Sequence, residues 1–168
     1  MSHPAFDVDA KHCSSLHGLI CYATACASVL EVYNSSTRTS TTLPKLELET
    51  SVESHFLGYD GIGGVYKVLC TSGSKPVFQV MTLGDGSSWK TIDVGQHSHF
   101  PLVKHICIDG ELYYEAFADT YLKGTAFIMR FDVRSESFER VKMPGDDIKF
   151  SNGKVRGEAS YHIHENFS

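Results

Sequence analysis

Apolar and polar residues alternate in short runs along most of this chain. The runs are rich in Val, Ile, Tyr, Phe and Thr and are bounded by Gly, Asp, Asn and Ser, which is typical of antiparallel β structure. Long amphipathic helical patterns are missing. The pattern predicts strands at Leu19–Tyr22, Val29–Tyr33, Thr41–Leu43, His55–Tyr59, Val65–Cys70, Phe78–Thr82, Trp89–Asp93, His105–Ile108, Glu111–Phe117, Ala126–Phe131 and Ser137–Lys142.

One segment, Ala23–Val32, is compatible with two structures. Its alanines suggest a helix, whereas its β-branched and small residues favour a hairpin. The sequence leaves both open.

Similar units recur at intervals of roughly fifty residues. Val32–Pro44, Met81–Asp93 and Phe131–Pro144 each contain an apolar strand end, a polar turn and a second strand. Leu57–Cys70 and Ile106–Phe117 precede the last two, and in each a turn containing Asp-Gly joins two strands. Each period therefore contains two hairpins, or four strands.

Four-stranded sheets repeated at this spacing are typical of propeller blades. The blades that can be assigned are His17–Pro44, His55–Asp93 and Lys104–Pro144, and part of a fourth begins at Asp147. The sequence therefore predicts an all-β fold, a partial β-propeller-like (kelch-like) array of four-stranded antiparallel sheets with about three and a half blades.

The same spacing predicts the domain organisation. Residues 1–16 are expected to be an N-terminal extension and residues 17–144 the propeller-like domain. Residues 145–168 are expected to be the start of a further blade or a flexible tail.

Charge and hydropathy exclude several classes of partner. The chain of 168 residues has a formal net charge of -5, and its Lys and Arg residues are scattered, which argues against nucleic acid. The longest apolar stretch, Leu19–Leu30, is shorter than the ~20 residues of a membrane span, and the N-terminus resembles no targeting signal. We expect an intracellular protein, in the cytoplasm and/or nucleus, that has no membrane partner.

The five cysteines agree with that compartment because no two of them form a C-x-x-C pair. Cys21, Cys70 and Cys107 lie in apolar runs, so we expect buried, reduced thiols. Cys107, near Lys104 and His105, alone has neighbouring cations that could activate it.

Six short motifs share their order and spacing with a known family. They are HGLICY (His17–Tyr22), NSST with LP (Asn34–Thr37, Leu43–Pro44), FLGYD with YKVL (Phe56–Asp60, Tyr66–Leu69), TLG with SSWKTI (Thr82–Gly84, Ser87–Ile92), CIDGELYY (Cys107–Tyr114) and FDVRSESF (Phe131–Phe138). Together, from about His17 to Pro144, they resemble the F-box-associated domain (type 3) of plant F-box proteins. That family usually has Pro where this chain has Ser35 and Gly61.

The resemblance implies a protein-interaction module. In such proteins this domain captures the substrate of an SCF-type E3 ubiquitin ligase for ubiquitin-dependent degradation. It implies no catalytic residue, cofactor or metal, and it leaves the substrate protein and its contact residues unknown. The family's F-box, which docks on Skp1 and cullin, is not found before His17, so we expect those partners only if an F-box is supplied elsewhere.

Several segments contain residue types that could form a phosphate or metal site. The glycine-rich stretch Gly58–Gly64 lacks the lysine and following helix of a phosphate cradle, so a turn is favoured. The pairs His97/His99 and His162/His164 have strand spacing that a metal site could use, but nearby ligands are missing, and hydrogen-bonded histidines are the simpler interpretation.

Other polar segments gave weaker signals. The turn Asp85–Trp89 (DGSSW) only partly resembles a sialidase-type Asp box. Trp89 is expected to pack between blades, with Phe138 in the same place one unit later. Asp146–Asp147 is expected to be a solvated turn and not an acid/base pair. The loops His97–Leu102 and Asp119–Gly124 are a weak prediction of a recognition surface.

Two alternatives to an interaction module remain. A small propeller hydrolase acting on carbohydrate or phosphate would show a funnel lined by carboxylates with a perturbed pKa, whereas a binding module would show apolar or aromatic loops at one rim. The other alternative is a truncated gene product without independent function. The unpaired edges of its sheets would destabilise such a chain.

Overall fold

The computed structural model describes residues 13–24, 29–46, 52–72, 75–84, 86–118 and 126–144. These residues form three four-stranded antiparallel sheets, and none of them is helical. Sheet 1 contains β1 (Cys13–Leu16), β2 (Leu19–Ala23), β3 (Leu30–Asn34) and β4 (Thr39–Thr42). Sheet 2 contains β5 (Val52–Asp60), β6 (Val65–Ser72), β7 (Val77–Thr82) and β8 (Lys90–Ile92). Sheet 3 contains β9 (Phe100–Ile108), β10 (Glu111–Phe117), β11 (Phe127–Asp132) and β12 (Ser137–Arg140).

In each sheet every strand pairs with the next one along the chain. The first strands of the three sheets lie side by side, because β5 packs against both β1 and β9. One buried hydroxyl joins these inner strands: Ser14 Oγ accepts a hydrogen bond from the Leu57 amide at 2.7 Å and lies 3.2 Å from His105 Nε2. The sheets therefore radiate from a common centre like successive blades of a propeller.

Sheet 2 is covered on both faces, which explains its long buried runs. Successive residues of a strand point to opposite faces, so Leu57 packs toward sheet 1 and Phe56 toward sheet 3. The sheet 1–2 core contains Cys21, Leu30, Val32, Leu43, Leu46, Leu57, Val68, Cys70 and Met81. The sheet 2–3 core contains Phe56, Leu69, Phe78, Val80, Leu112, Tyr114, Ala116, Met129, Phe131, Val133 and Phe138.

Gly58 allows sheet 3 to approach β5 closely. A Cβ atom at this position would lie 2.7 Å from Val133 Cγ2 and 3.2 Å from Leu112 Cδ1. Only glycine therefore fits without displacing the sheet 2–3 core.

The predicted fold class is confirmed: the described residues form the three predicted four-stranded blades. At the ends of Ala23–Val32 the described residues form paired strands, Ala23 with Leu30, which favours the hairpin interpretation, and residues 25–28 lie outside the described residues. The part-blade from Asp147 lies outside the described residues, and the division after residue 144 stays a prediction.

The predicted start of the first blade needs correction. Strand β1 was not predicted, yet it pairs with β2 along its whole length, so the first sheet begins at Cys13 and not at His17. Strand β9 also begins earlier than predicted, at Phe100, which extends it through Pro101.

The prediction of buried thiols is confirmed for Cys21 and Cys70, whereas Cys13 is an exposed free thiol. Cys21 and Cys70 are fully buried free thiols, and Cys107 is half-buried. Burial raises the pKa of Cys21 to about 12 and also raises the pKa of Cys107, so activation of Cys107 by neighbouring cations is not supported. Cys26 lies outside the described residues. Across those residues, no helix has the length and apolarity needed to cross a membrane.

Candidate functional site

Five hairpin turns lie at one end of the three sheets, and we call this end the turn rim. Residues 17–18, 35–38, 61–64, 109–110 and 133–136 form these turns. All of them follow the first or third strand of a sheet, so the antiparallel order places them at the same end. Loops held on a rigid sheet framework are common binding surfaces.

The three four-residue turns share one hydrogen-bonding device. In each, the Oδ1 atom of the last strand residue accepts hydrogen bonds from the amides two and three residues later: Asn34 from Ser36 and Thr37, Asp60 from Ile62 and Gly63, and Asp132 from Arg134 and Ser135. These side chains fix the turn from within. The fourth turn residue, Arg38, Gly64 or Glu136, has a positive φ.

The two-residue turns are alike in another way. His17 and Gly18 have φ values of 49° and 80°, and Asp109 and Gly110 have values of 51° and 83°. Positive φ at both positions is the geometry of a tight hairpin whose twist matches its strands. The backbone of both turns is therefore held in one tight conformation.

The first hairpins of all three sheets, with the second hairpin of sheet 3, border an open cavity of about 480 Å³, which we call the rim cavity. Its wall includes Leu16 and His17 from sheet 1, Tyr59, Asp60 and Ile62 from sheet 2, and Cys107, Asp109, Glu111, Asp132 and Arg134 from sheet 3. Ile62 is the most conspicuous of these residues, because 81% of its surface is exposed. A concave surface with an exposed apolar side chain at its edge suits a macromolecular partner.

An aromatic cluster supports the sheet 1 side of this cavity. The Tyr59 and Tyr66 rings lie 4.5 Å apart, and the His17 ring meets Tyr59 edge-on at 5.2 Å. His17 Nδ1 lies 3.1 Å from the Tyr66 hydroxyl, which ties sheet 1 to sheet 2. The wall is therefore rigid where these two sheets meet.

Three carboxylates of the rim cavity serve structural roles. Asp60 and Asp132 fix their turns, and Glu111 forms an ion pair with Arg130 at 3.0 Å. The Gly63 amide, followed by the Ile62 amide, outweighs burial and holds the pKa of Asp60 below its ordinary value. A general acid needs a raised pKa, so Asp60 is suited to remain charged and not to donate a proton.

Gly58–Gly64 forms the end of β5 and a tight turn, with β6 following directly. The turn interpretation of this stretch is therefore confirmed, since a phosphate cradle would be followed by a helix.

The predicted histidine pair at 97 and 99 is separated by burial. His99 is fully buried among Phe78, Tyr114 and Phe138, and its Nε2 lies 2.7 Å from the Tyr114 hydroxyl, whereas His97 is exposed. Burial lowers the pKa of His99 to about 4. The described residues contain no group of three His, Cys, Asp or Glu that could hold a metal ion. His162 and His164 lie outside them.

Trp89 packs against the sheet 1–2 core, as predicted, and its Nε1 donates a hydrogen bond to the Pro44 carbonyl at 2.7 Å. Phe138 lies correspondingly in the sheet 2–3 core. Asp85 and Asp146–Asp147 are outside the described residues.

The recognition loop predicted at His97–Leu102 is shorter than expected, because its last three residues belong to β9. Its role in recognition stays a prediction. Asp119–Gly124 lies outside the described residues.

Sequence reasoning missed the rim cavity. The hairpin pattern assigns Ile62 only to a turn, although an isoleucine among glycines in a polar turn is itself a signal of an exposed apolar contact. The cavity also joins turns from residue 16 to residue 134, a contact set that hairpin patterns alone do not predict.

Known proteins match most of this chain. A model described as the F-box associated beta propeller domain matches residues 1–156. At4g38870 of Arabidopsis thaliana, an F-box protein by name, is 40% identical over 163 residues, covering 90% of this chain and 38% of that protein. At4g09190 of the same plant, also an F-box protein by name, is 40% identical over 136 residues, covering 80% of this chain and 35% of that protein.

A third relative is also similar to most of this chain. The F-box protein At2g21930 of Arabidopsis thaliana is 37% identical over 147 residues, covering 76% of this chain and 36% of that protein. The chain thus spans less than two fifths of the length of these three relatives. The resemblance found in the sequence motifs is confirmed, and the chain belongs to the F-box associated β-propeller domain family.

Proposed function

We propose that this chain binds a protein through its turn rim, as the substrate-recognition part of an SCF-type E3 ubiquitin ligase. The observation that carries the proposal is Ile62, which stands exposed at the edge of the rim cavity. The Asp60 carboxylate fixes the turn that presents it, so little conformational entropy is lost when a partner covers the isoleucine.

The names of the relatives support the ubiquitin-ligase context. In that context Skp1 and cullin bind an F-box, and the propeller domain binds the substrate. The intracellular location expected from the sequence belongs to the same proposal, because such ligases act in the cytoplasm and nucleus.

The hydrolase alternative has less support. A hydrolase would need a carboxyl group with a raised pKa in the cavity, whereas Asp60 has a lowered pKa and Glu111 is neutralised by Arg130. We therefore assign binding and not hydrolysis to the rim cavity.

The test is affinity capture from plant extract with the full chain fused behind an F-box. We expect capture of at least one protein that excess untagged chain displaces and that becomes ubiquitinated when the remaining ligase subunits are added. Ile62→Ser should reduce this capture about fivefold or more, because a central apolar anchor contributes over 1 kcal/mol.

Val77→Ser is the matched control. It removes another exposed apolar side chain, at the start of β7 and thus at the opposite end of sheet 2. Capture that this control reduces as much as Ile62→Ser does, or the lack of any displaceable protein, would count against the proposal.

A further inference from the structure

The charges of the rim cavity are unbalanced. Asp60, Asp109 and Asp132 line it, and among the described residues of its wall Arg134 is the one Lys or Arg, with the imidazole of His17 in the same wall. Glu111 also lines the cavity, but its ion pair with Arg130 neutralises it. Three aspartates therefore share the wall with one guanidinium and the His17 imidazole, and its apolar and aromatic side chains include Leu16, Tyr59 and Ile62.

Asp60 is buried yet incompletely bonded. Only 6% of its surface is exposed, and both of its hydrogen bonds use Oδ1. Its Oδ2 atom forms no hydrogen bond with the part of the chain that the structure describes. The carboxylate lines the cavity, and the Gly63 amide, ahead of the Ile62 amide and the charges of Arg134 and Lys67, holds its pKa low, so Oδ2 carries negative charge without a direct hydrogen bond to the described residues.

Asp109 adds a second available carboxylate. It occupies a positive-φ turn position and makes no hydrogen bond or ion pair to any described residue. Its place in the turn is set by the backbone, so the side chain is not needed to hold the hairpin. Tyr59 stands in the same wall, and an aromatic ring next to carboxylates favours a cation.

We infer that the rim cavity receives a lysine or arginine side chain of the protein that this chain captures. The inference rests on the proposed function and specifies the chemistry of the partner. The cationic head lies near Asp60 and Asp109, and an apolar neighbour in the partner packs on Ile62. An entirely apolar or acidic partner segment would leave the carboxylates without an opposite charge.

The test uses the full chain labelled with nitrogen-15 and a capped heptapeptide, Gly-Ser-Leu-Lys-Leu-Ser-Gly. The comparison peptides replace lysine with arginine, with Nε-acetyl-lysine or with citrulline. We expect the lysine and arginine peptides to shift the amide signals of Ile62, Gly63, Asp109 and Gly110 saturably. The two neutral isosteres should bind at least about threefold more weakly, and added salt should weaken the cationic peptides only.

Two variants should move the affinity in opposite directions. Asp109→Asn should weaken binding of the lysine peptide about two- to fivefold, and asparagine keeps the turn because it tolerates positive φ. Arg134→Gln should strengthen it about twofold, because it removes the opposing cation. Asp93→Asn is the control: it removes the same charge at the other end of sheet 2, where the side chain accepts a hydrogen bond from the Gly95 amide.

The inference is overturned if the neutral peptides bind as tightly as the cationic ones, or if Asp109→Asn and Asp93→Asn behave alike. It is also overturned if the shifted amides lie away from the rim cavity. Failure of the proposed function looks different. If protein capture depends on Ile62 but is unchanged by Asp109→Asn, the binding function stands and only the basic side chain is rejected.

Discussion

The two cores on either side of sheet 2 differ in composition. The sheet 1–2 core is aliphatic and sulfur-rich, with Cys21, Cys70 and Met81 among its fully buried members. The sheet 2–3 core is aromatic. Phe131 and Phe138 have ring centres 4.8 Å apart, and Phe56 and Tyr114 stack at the same separation.

The links at the edges of the two cores differ as well. Sheet 1 is joined to sheet 2 by hydrogen bonds, such as that from Trp89 to the Pro44 carbonyl. Sheet 3 is joined to sheet 2 by an ion triad, in which Glu136 binds Lys67 at 2.8 Å and Lys90 at 2.7 Å. Because aromatic side chains bury more area and gain about 0.5–1.5 kcal/mol per ring pair, we expect sheets 2 and 3 to hold together more strongly than sheets 1 and 2.

The largest expected effect comes from opening the aromatic core. Phe78→Ala should reduce the free energy of unfolding by about 3–5 kcal/mol, because the ring contacts both His99 and Phe138 and leaves a cavity behind. Val68→Ala, in the sheet 1–2 core, should cost about 2 kcal/mol. Urea unfolding followed by fluorescence measures both. Equal losses of unfolding free energy in the two variants would contradict the expected difference between the two cores.

The second effect depends on pH. The pKa of His99 is lowered to about 4 from 6.5 by burial, so the folded chain keeps this ring neutral while the unfolded chain protonates it. The resulting stability is complete above pH 6.5 and is lost as the pH falls toward 4, by up to about 3 kcal/mol.

Urea unfolding at a series of pH values measures this loss. His99→Gln should flatten the pH dependence between 6.5 and 4, whereas the exposed His97→Gln should leave it unchanged. The same slope in His99→Gln and the parent chain would exclude His99 as the cause.

The smallest effect concerns the ion triad. Burial alone would raise the pKa of Glu136, but the hydrogen bonds and charges of Lys67 and Lys90 outweigh it and hold the pKa below 4.5. Its contribution is therefore present above pH 4.5 and is lost as the pH falls below that value. Glu136→Gln should cost about 1 kcal/mol at pH 7, since water partly screens the pairs.

Glu139→Gln is the control for this variant. Glu139 pairs with Arg130 on a more exposed surface, so its loss should cost less than that of Glu136. Thermal melts at pH 7 and pH 4 compare the two. A Glu136→Gln deficit that persists unchanged at pH 4 would contradict the ion-pair explanation.

Much of the fold could be predicted because alternation and turn residues are local signals. The hairpin Leu57–Cys70 and the strand Glu111–Phe117 are predicted by their alternation together with the Asp-Gly turns beside them. Strand β1 was missed because Cys-Ser-Ser-Leu is short and polar, and its pairing with Leu19–Ala23 is what makes it a strand. Long-range pairing of this kind overrides weak local preference.

Local sequence patterns do not predict the rim cavity, for a similar reason. His17, Ile62 and Asp109 come together only when three sheets radiate from one centre, and no hairpin pattern encodes the angle between sheets. Likewise, His97 and His99 look equivalent in the sequence. Their difference appears only when the sheet 2–3 core closes around His99.

The repeated device in the four-residue turns has an evolutionary consequence. Ser36, Ile62 and Arg134 occupy the same place in their turns, and each contributes only its main-chain amide to the device. Their side chains are therefore free to change by mutation without unfolding the hairpin. Under the proposed binding function, a gene family built on this scaffold can acquire new targets by exchanging a few codons.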